Sequence, residues 1–169
     1  MVKRLKLFIA ASLDGYIARK DGSIDWLFTD ADYGYRDFFS SIDTVLVGRK
    51  SYEQSLTFFE DAPFSGKLCF VFTRQASGKA GLVTFVSGDI AEFTRGLKDE
   101  PGSDIWLVGG SEIIAALRQL IDDFIISVHP IILGNGIPLF TGEWAEKALV
   151  LVSASSFKSG LVQLQYSVL

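Results

Sequence analysis

The chain has 169 residues, of which 49% are hydrophobic and 21% charged, with a formal net charge of −4. That composition belongs to a globular domain and excludes a disordered chain. The interspersed, slightly acidic charge argues against the basic face of a nucleic-acid binder and the polybasic patch of a membrane-surface protein, so any bound anion must be met by a local positive site.

In chain order, residues 6–12 read as a first strand, ended by the turn dipeptide Asp14-Gly15. The basic start followed by "LFIAA" is too short for a signal-peptide core. "ARKDGSIDW" reads as an exposed loop, and residues 30–41 carry early acids and aromatics at helical spacing. "TVLVG" (44–48) is a second strand and "RKSYEQSL" opens a helix; "KLCFVFT" (67–73) and "LVTFV" (82–86) are strands joined by the polar loop "RQASGKAG". A helix follows over 87–98, capped near Ser87 or Asp89. "DIWLV" is a fifth strand, with a helix over 111–120, and residues 123–133 form the longest strand candidate. After "GNGIPLFTGEW", two runs flank Lys158-Ser159-Gly160 and read as an antiparallel hairpin.

Strands that alternate with helices and are nearly continuous in apolar residues predict one α/β domain over 1–169, with a mostly parallel sheet flanked by helices. No stretch approaches the roughly 20 apolar residues of a membrane span. The sole cysteine, Cys69, can form no intrachain disulfide, which suggests a reducing, cytoplasmic setting.

Ligands of open α/β sheets sit beyond the carboxyl ends of the strands. Four polar or glycine-bearing sequences fall at such ends: Ser12-Leu13-Asp14-Gly15, Gly48-Arg49-Lys50-Ser51, Thr73-Arg74 and Gly109-Gly110-Ser111. "VGRKSYE" sets two cations and a hydroxyl at a helix start, where free N–H groups already favour an anion. Arg49 offers a bidentate fork and Lys50 a point charge. "VGGSE" is not the Rossmann fingerprint; its glycines allow either a close ligand approach or a tight turn capped by Ser111. Asp14, Asp25, Asp30 and Asp32, gathered in sequence around Trp26, are candidate proton-transfer acids, since a carboxyl half-buried against an aromatic wall has a raised pKa. His129, the only histidine, reads as structural, and no His/Cys cluster suggests a metal.

Taken together, "ASLDGYIA", "DW", "VLVGRKSYE", "VFTR", "WLVGGSE" and "HPIILGNGIPLF" resemble the dihydrofolate reductase superfamily in order and spacing, especially the bacterial branch related to the riboflavin-biosynthesis (RibD) C-terminal reductase domain. The resemblance implies a dihydrofolate reductase-like fold, a C-terminal antiparallel hairpin, and NADPH as hydride donor to a small heterocycle. It implies that Ala10 and Ala11 lie near the nicotinamide and that Gly48, Arg49, Lys50 and Ser51 hold the phosphates. Thr73 and Arg74 would contact the adenosine side. Val108, Gly109, Gly110 and Ser111 would pack on the pyrophosphate and ribose, the paired glycines being joined in the family by a cis peptide. On the substrate side, Asp32 resembles the proton-handling acid that follows the active-site tryptophan, Trp26. Leu27 and Phe28 would extend the substrate wall, Asp14 would also bind the substrate, and Ser127 would correspond to the hydroxyl supporting the carboxylate.

Two departures concern the substrate. Lys67 stands near the place where folate reductases carry an arginine for the glutamate tail, and Val108 stands where riboflavin reductases carry a glutamate. A ribosylaminopyrimidine and a pterin both stay open as substrates. A nucleotide-binding module without turnover is the alternative function, and a homodimer through sheet edges or faces is an expected partner arrangement.

Overall fold

The computed structural model describes residues 2–58, 62–75 and 77–169. The strands are β1 (Leu5–Ser12), β2 (Tyr16–Ala18), β3 (Ile42–Gly48), β4 (Leu68–Phe72), β5 (Gly78–Ala80), β6 (Val83–Val86), β7 (Asp104–Gly109), β8 (Asp123–His129), β9 (Ile137–Pro138), β10 (Leu149–Ser156) and β11 (Val162–Val168). The helices are α1 (Tyr35–Ser40), α2 (Arg49–Phe58), α3 (Ile90–Asp99) and α4 (Ser111–Leu117). Nine strands form one sheet in the order β10-β11-β8-β1-β7-β3-β4-β6-β5. From β8 to β6 the neighbours are parallel, while at the two edges β11 pairs antiparallel with β8, β10 with β11, and β5 with β6. The dihydrofolate reductase-like mixed sheet expected above is therefore present, hairpin included.

The strand pattern makes a core on each face, because successive side chains point to opposite sides. Leu5, Leu7, Leu46, Ile105 and Leu107 meet α3 and α4 through Leu97, Ile114 and Leu117. Val45, Val47, Val71 and Trp106 meet α1 and α2, with Phe38 fully inside and Tyr52 half-buried at the margin. Trp106 is the hub of that second face. Its ring takes edge contacts from Phe8, Phe38 and Phe64, and its indole N–H donates to the Phe8 carbonyl at 3.0 Å. Anchoring Trp106 from several sides holds β7 three residues before Gly109, the first of the paired glycines.

Several boundaries differ from the sequence reading. The helix expected from residue 30 begins only at Tyr35, because Tyr33 (φ 50°) and Gly34 (φ 78°) are both left-handed and break the helical path. The strand expected through residue 133 stops at His129, since Pro130 offers no N–H to a ladder. Gly110, not Ser111, is the N-cap of α4 and makes no side-chain cap bond. Within "RQASGKAG", residues 78–80 form β5, while Ala76 lies outside the described residues. The short β2–β9 pairing went unforeseen, as three- and two-residue strands carry no periodicity. The cap of α3 is Asp89, which accepts from the N–H groups of Ala91 and Glu92.

Candidate active site at the carboxyl ends of the strands

β1, β3, β4 and β7 end side by side, so the motifs picked from sequence converge. Gly48, the last residue of β3, feeds directly into α2, and Gly109 and Gly110 link β7 to α4 through a cis peptide. A Cβ on Gly48 would sit 3.1 Å from Ile113 Cγ1 and 3.6 Å from the Gly109 carbonyl; one on Gly110 would lie 3.3 Å from Ser51 Oγ. Gly109 has φ 123°, a conformation other residues rarely adopt, so a side chain there is disfavoured by the backbone even though a Cβ would only touch Ile9 and Ile114. Side chains are thus kept out of a corner formed by two adjacent chain segments, leaving bare backbone and the Ser51 hydroxyl.

The cations around that corner are only lightly engaged. Arg49 Nε is 3.8 Å from Glu53 one turn along α2. Lys50 is exposed. Arg74, just beyond β4, reaches Glu112 in the first turn of α4 at 3.1 Å while staying almost wholly in solvent. That contact links the end of β4 to the first turn of α4. Surface pairs of this kind contribute little and can be exchanged for an anion at small cost. A dinucleotide's phosphates fit this chemistry: open backbone at a ten-residue helix start, a hydroxyl and exchangeable cations.

The other half of the site lies across β1 and β8. Trp26 is 7% exposed and its indole N–H is buried with no partner among the described residues. Phe28 is partly exposed beside it, and both rings pack on His129, at centroid distances of 5.1 and 4.9 Å. Leu27 is half-buried, its N–H bonded to the Ile24 carbonyl. Ala10 and Ala11 pair in register with Ser127 and Val128, so the β1 and β8 ends form one floor. Ser127 is buried, and its Oγ accepts from Gln163 Nε2 at 3.0 Å. The same amide lies 3.1 Å from the carbonyl of Tyr33. The link between Ser127 and the Asp32 loop therefore runs through Gln163. Asp32 itself is half-exposed, accepts weakly from Arg36 N, and sits 3.5 Å from Arg36 Nε.

Asp14 and Asp25 depart from the expected raised-pKa acids. The Ser12 hydroxyl, helped by the Leu133 and Gly134 N–H groups, holds the exposed Asp14 carboxyl below its ordinary value. The Arg19 fork does the same for Asp25. Asp14 clasps the β1–β2 turn to the loop after β8. Lys67 is also committed, donating to the Ile42 carbonyl at 2.7 Å and lying 4.7 Å over the Phe39 ring. These contacts tie its ammonium to the start of β3 and to α1. Sequence reasoning missed Gln163 altogether: a glutamine in a short amphipathic strand carries no signal until its strand neighbours are known.

Comparison with known proteins fits this geometry. The RibD C-terminal domain family matches residues 3–163. The chain is 42% identical to the uncharacterized protein YwjB of Bacillus subtilis, covering 98% of each, and 37% identical to YyaP of the same organism, covering 97% of this chain and 94% of that one. A solved structure described as a candidate riboflavin biosynthesis protein from Shewanella sp. PV-4 superposes with a TM-score of 0.84 at 28% identity, covering 100% of this chain and 99% of the other. The Enterococcus faecalis dihydrofolate reductase complexed with NADP(H) gives 0.75 at 16% identity, with 99% of both chains covered, which speaks to the fold alone.

Proposed function

The chain belongs to the RibD C-terminal domain family, and from that premise we propose that it is an NADPH-dependent reductase of a small heterocycle. The substrate classes are a ribosylaminopyrimidine, of the kind used in riboflavin biosynthesis, and a pterin. The observation that carries the reading is the corner where Gly48, Gly110 and Ser51 approach within a Cβ's width beside Arg49. The committed Lys67 favours the pyrimidine over a folate with its glutamate tail.

In this reading Gly48, Arg49, Lys50 and Ser51 hold the phosphates, and Thr73 and Arg74 hold the adenosine side. Val108 to Ser111 line the ribose, and Ala10 and Ala11 form the floor under the nicotinamide. When bound, the cofactor supplies a hydride from its C4 position. The chain's residues orient and protonate. Trp26, Leu27 and Phe28 exclude water from one face of the substrate, and Asp14 holds the loop at its edge. Asp32 is exposed enough to exchange protons with solvent and pass one through a water to the reduced centre, while Ser127 steadies its loop through Gln163.

The test is to mix the purified protein with NADPH and each substrate class and follow the loss of nicotinamide absorbance. Oxidation with either class supports the proposal. Tight NADPH binding without turnover would identify a nucleotide-binding module instead, and no binding would overturn both readings.

A cytoplasmic setting accords with a lone buried thiol. Among the described residues no helix is long and apolar enough to cross a membrane. As partner we propose a second copy, through β10. Its residues Leu149 to Val152 are 39–56% exposed, and the whole edge strand carries no charge or proline. An apolar edge without charge or proline invites pairing, although its ladder is irregular between Leu151 and Ser153, and an antiparallel twofold contact lets β10 pair with itself without charge repulsion. Light scattering should report twice 18.6 kDa for the wild type and the single mass for Leu151→Lys. A wild-type monomer would overturn the dimer.

A further inference from the structure

Residues 26–34 carry the candidate substrate wall and Asp32, yet no helix or long strand holds them. Two remote strands do so. At the far end, Gln163 bonds the Tyr33 carbonyl, and the Tyr33 hydroxyl contacts Asp30 at 2.6 Å and Ser159 at 2.9 Å. The Tyr33 ring also packs edge-on against Phe157. His129, the last residue of β8, holds the near end. It is 3% exposed, with Nδ1 3.2 Å from the Ser127 carbonyl and Nε2 3.2 Å from the Phe28 backbone nitrogen.

These contacts decide the tautomer. A backbone N–H can only donate, so Nε2 must be the unprotonated acceptor; the single ring proton then sits on Nδ1 and is given to the Ser127 carbonyl. The same ring stands perpendicular to Trp26 and tilted by 53° against Phe28. It therefore touches both aromatic residues of the wall and hydrogen-bonds the backbone between β8 and that wall.

We infer that His129 is a positioning residue of the substrate pocket, its neutral Nδ1–H form fixing where Trp26 and Phe28 stand over the end of β8. This rests on the reductase reading, but concerns the substrate half of the site and not the cofactor corner. A second proton would set Nε2–H against the Phe28 N–H, two donors facing each other, so only the neutral ring holds the wall. Burial, opposed by the Ser127 carbonyl, pushes the ring's pKa down and keeps it in that form.

The tautomer is read directly on the wild-type protein by long-range proton–nitrogen NMR of the imidazole. An Nδ1–H ring with a bare Nε2 is expected; an Nε2–H ring would overturn the assignment without any variant. Two substitutions then test the role. His129→Leu removes both bonds, and His129→Gln keeps an acceptor at the Nε2 position. For a pyrimidine or pterin that the wild type turns over, His129→Leu should raise KM by about tenfold, the size of one lost buried hydrogen bond, with NADPH affinity unchanged. His129→Gln should recover part of that loss and restore the Phe28 amide resonance. Equal losses in NADPH and substrate binding, or an unshifted Phe28 amide in His129→Leu, would overturn the proposal. If the wild type binds no NADPH, the reductase reading fails, while the tautomer and the Phe28 amide still decide the role of His129.

Discussion

The two ends of the parallel sheet are built from similar residues and used in opposite ways. At the amino ends of the strands, almost every charge is paired. Lys3, 3% exposed, donates to Asp43 at 2.8 Å, and Arg4 clasps both oxygens of Asp123 at 2.7 Å. Lys6 meets Asp104 and Lys98 meets Asp122. Asp43 and Asp122 also cap the backbone N–H groups of Ser103 and Leu5. At the carboxyl ends, among the described residues, Arg49 and Arg74 hold loose surface partners, glycines replace side chains, and the Trp26 N–H has no partner. Where the fold satisfies its own polar groups, they serve stability; where it leaves them open, they stay available for other partners.

Substitutions should separate the two ends. The largest expected effect is on folding. Lys3→Met keeps the buried stem and removes the ammonium, leaving Asp43 without its cation. Breaking a buried pair costs about 3–5 kcal/mol, and the partial exposure of Asp43 reduces this to about 2 kcal/mol. Urea unfolding should show that loss while NADPH affinity of the folded protein holds. A weakened NADPH affinity would mean that the two ends are coupled.

Arg49→Ala should do the reverse. NADPH binding should weaken by about tenfold, the worth of one charge-assisted phosphate contact. The urea midpoint should barely move, since the Glu53 pair is long and exposed. Unchanged affinity in a folded variant would remove Arg49 from the phosphate site.

The smaller effect is a graded loss of stability in acid, with each end titrating in its own window. His129 has a lowered folded pKa, so below about 6.5 the unfolded chain takes up a proton that the folded chain refuses, and stability falls as pH drops toward the folded value. For Asp43 and Asp123, burial raises the pKa, but hydrogen bonds from Lys3, Thr44 and Ser103 to the first and from Arg4 and Ser167 to the second, with the charges of Lys3, Arg4 and Lys6, together outweigh it and leave both lowered. Their contribution is intact above the ordinary carboxylate range, near 4, and is lost as pH falls through their folded values. Denaturant melts from pH 7 to 3 should therefore show two successive losses. His129→Gln should abolish the first and spare the second; one loss unaffected by that substitution would refute the assignment.

Residue order was enough to read the parallel sheet, because buried strands are apolar runs and their glycine- or cation-bearing ends mark the turns. The motifs around Gly48, Thr73 and Gly109 were legible for the same reason: each follows a strand directly, and parallel strands bring their carboxyl ends together. The loop from Trp26 to Gly34 was not legible. Its path is set by His129, Ser159 and Gln163, more than ninety residues away, and by a left-handed Tyr33 that its local sequence does not favour. The amino-end ion pairs likewise join residues far apart in the chain.

What the sequence by itself determined, then, was the sheet, its two helical layers and the corner that resembles a dinucleotide site, since these follow from local periodicity and from turns adjacent to strands. Only the tertiary structure decided which acids are clasped and which stay open, that Lys67 is committed to Ile42 and Phe39, and that His129 faces Phe28 as an acceptor. Such matters depend on which donor meets which acceptor across distant strands, and that pairing exists only once the strands are in register.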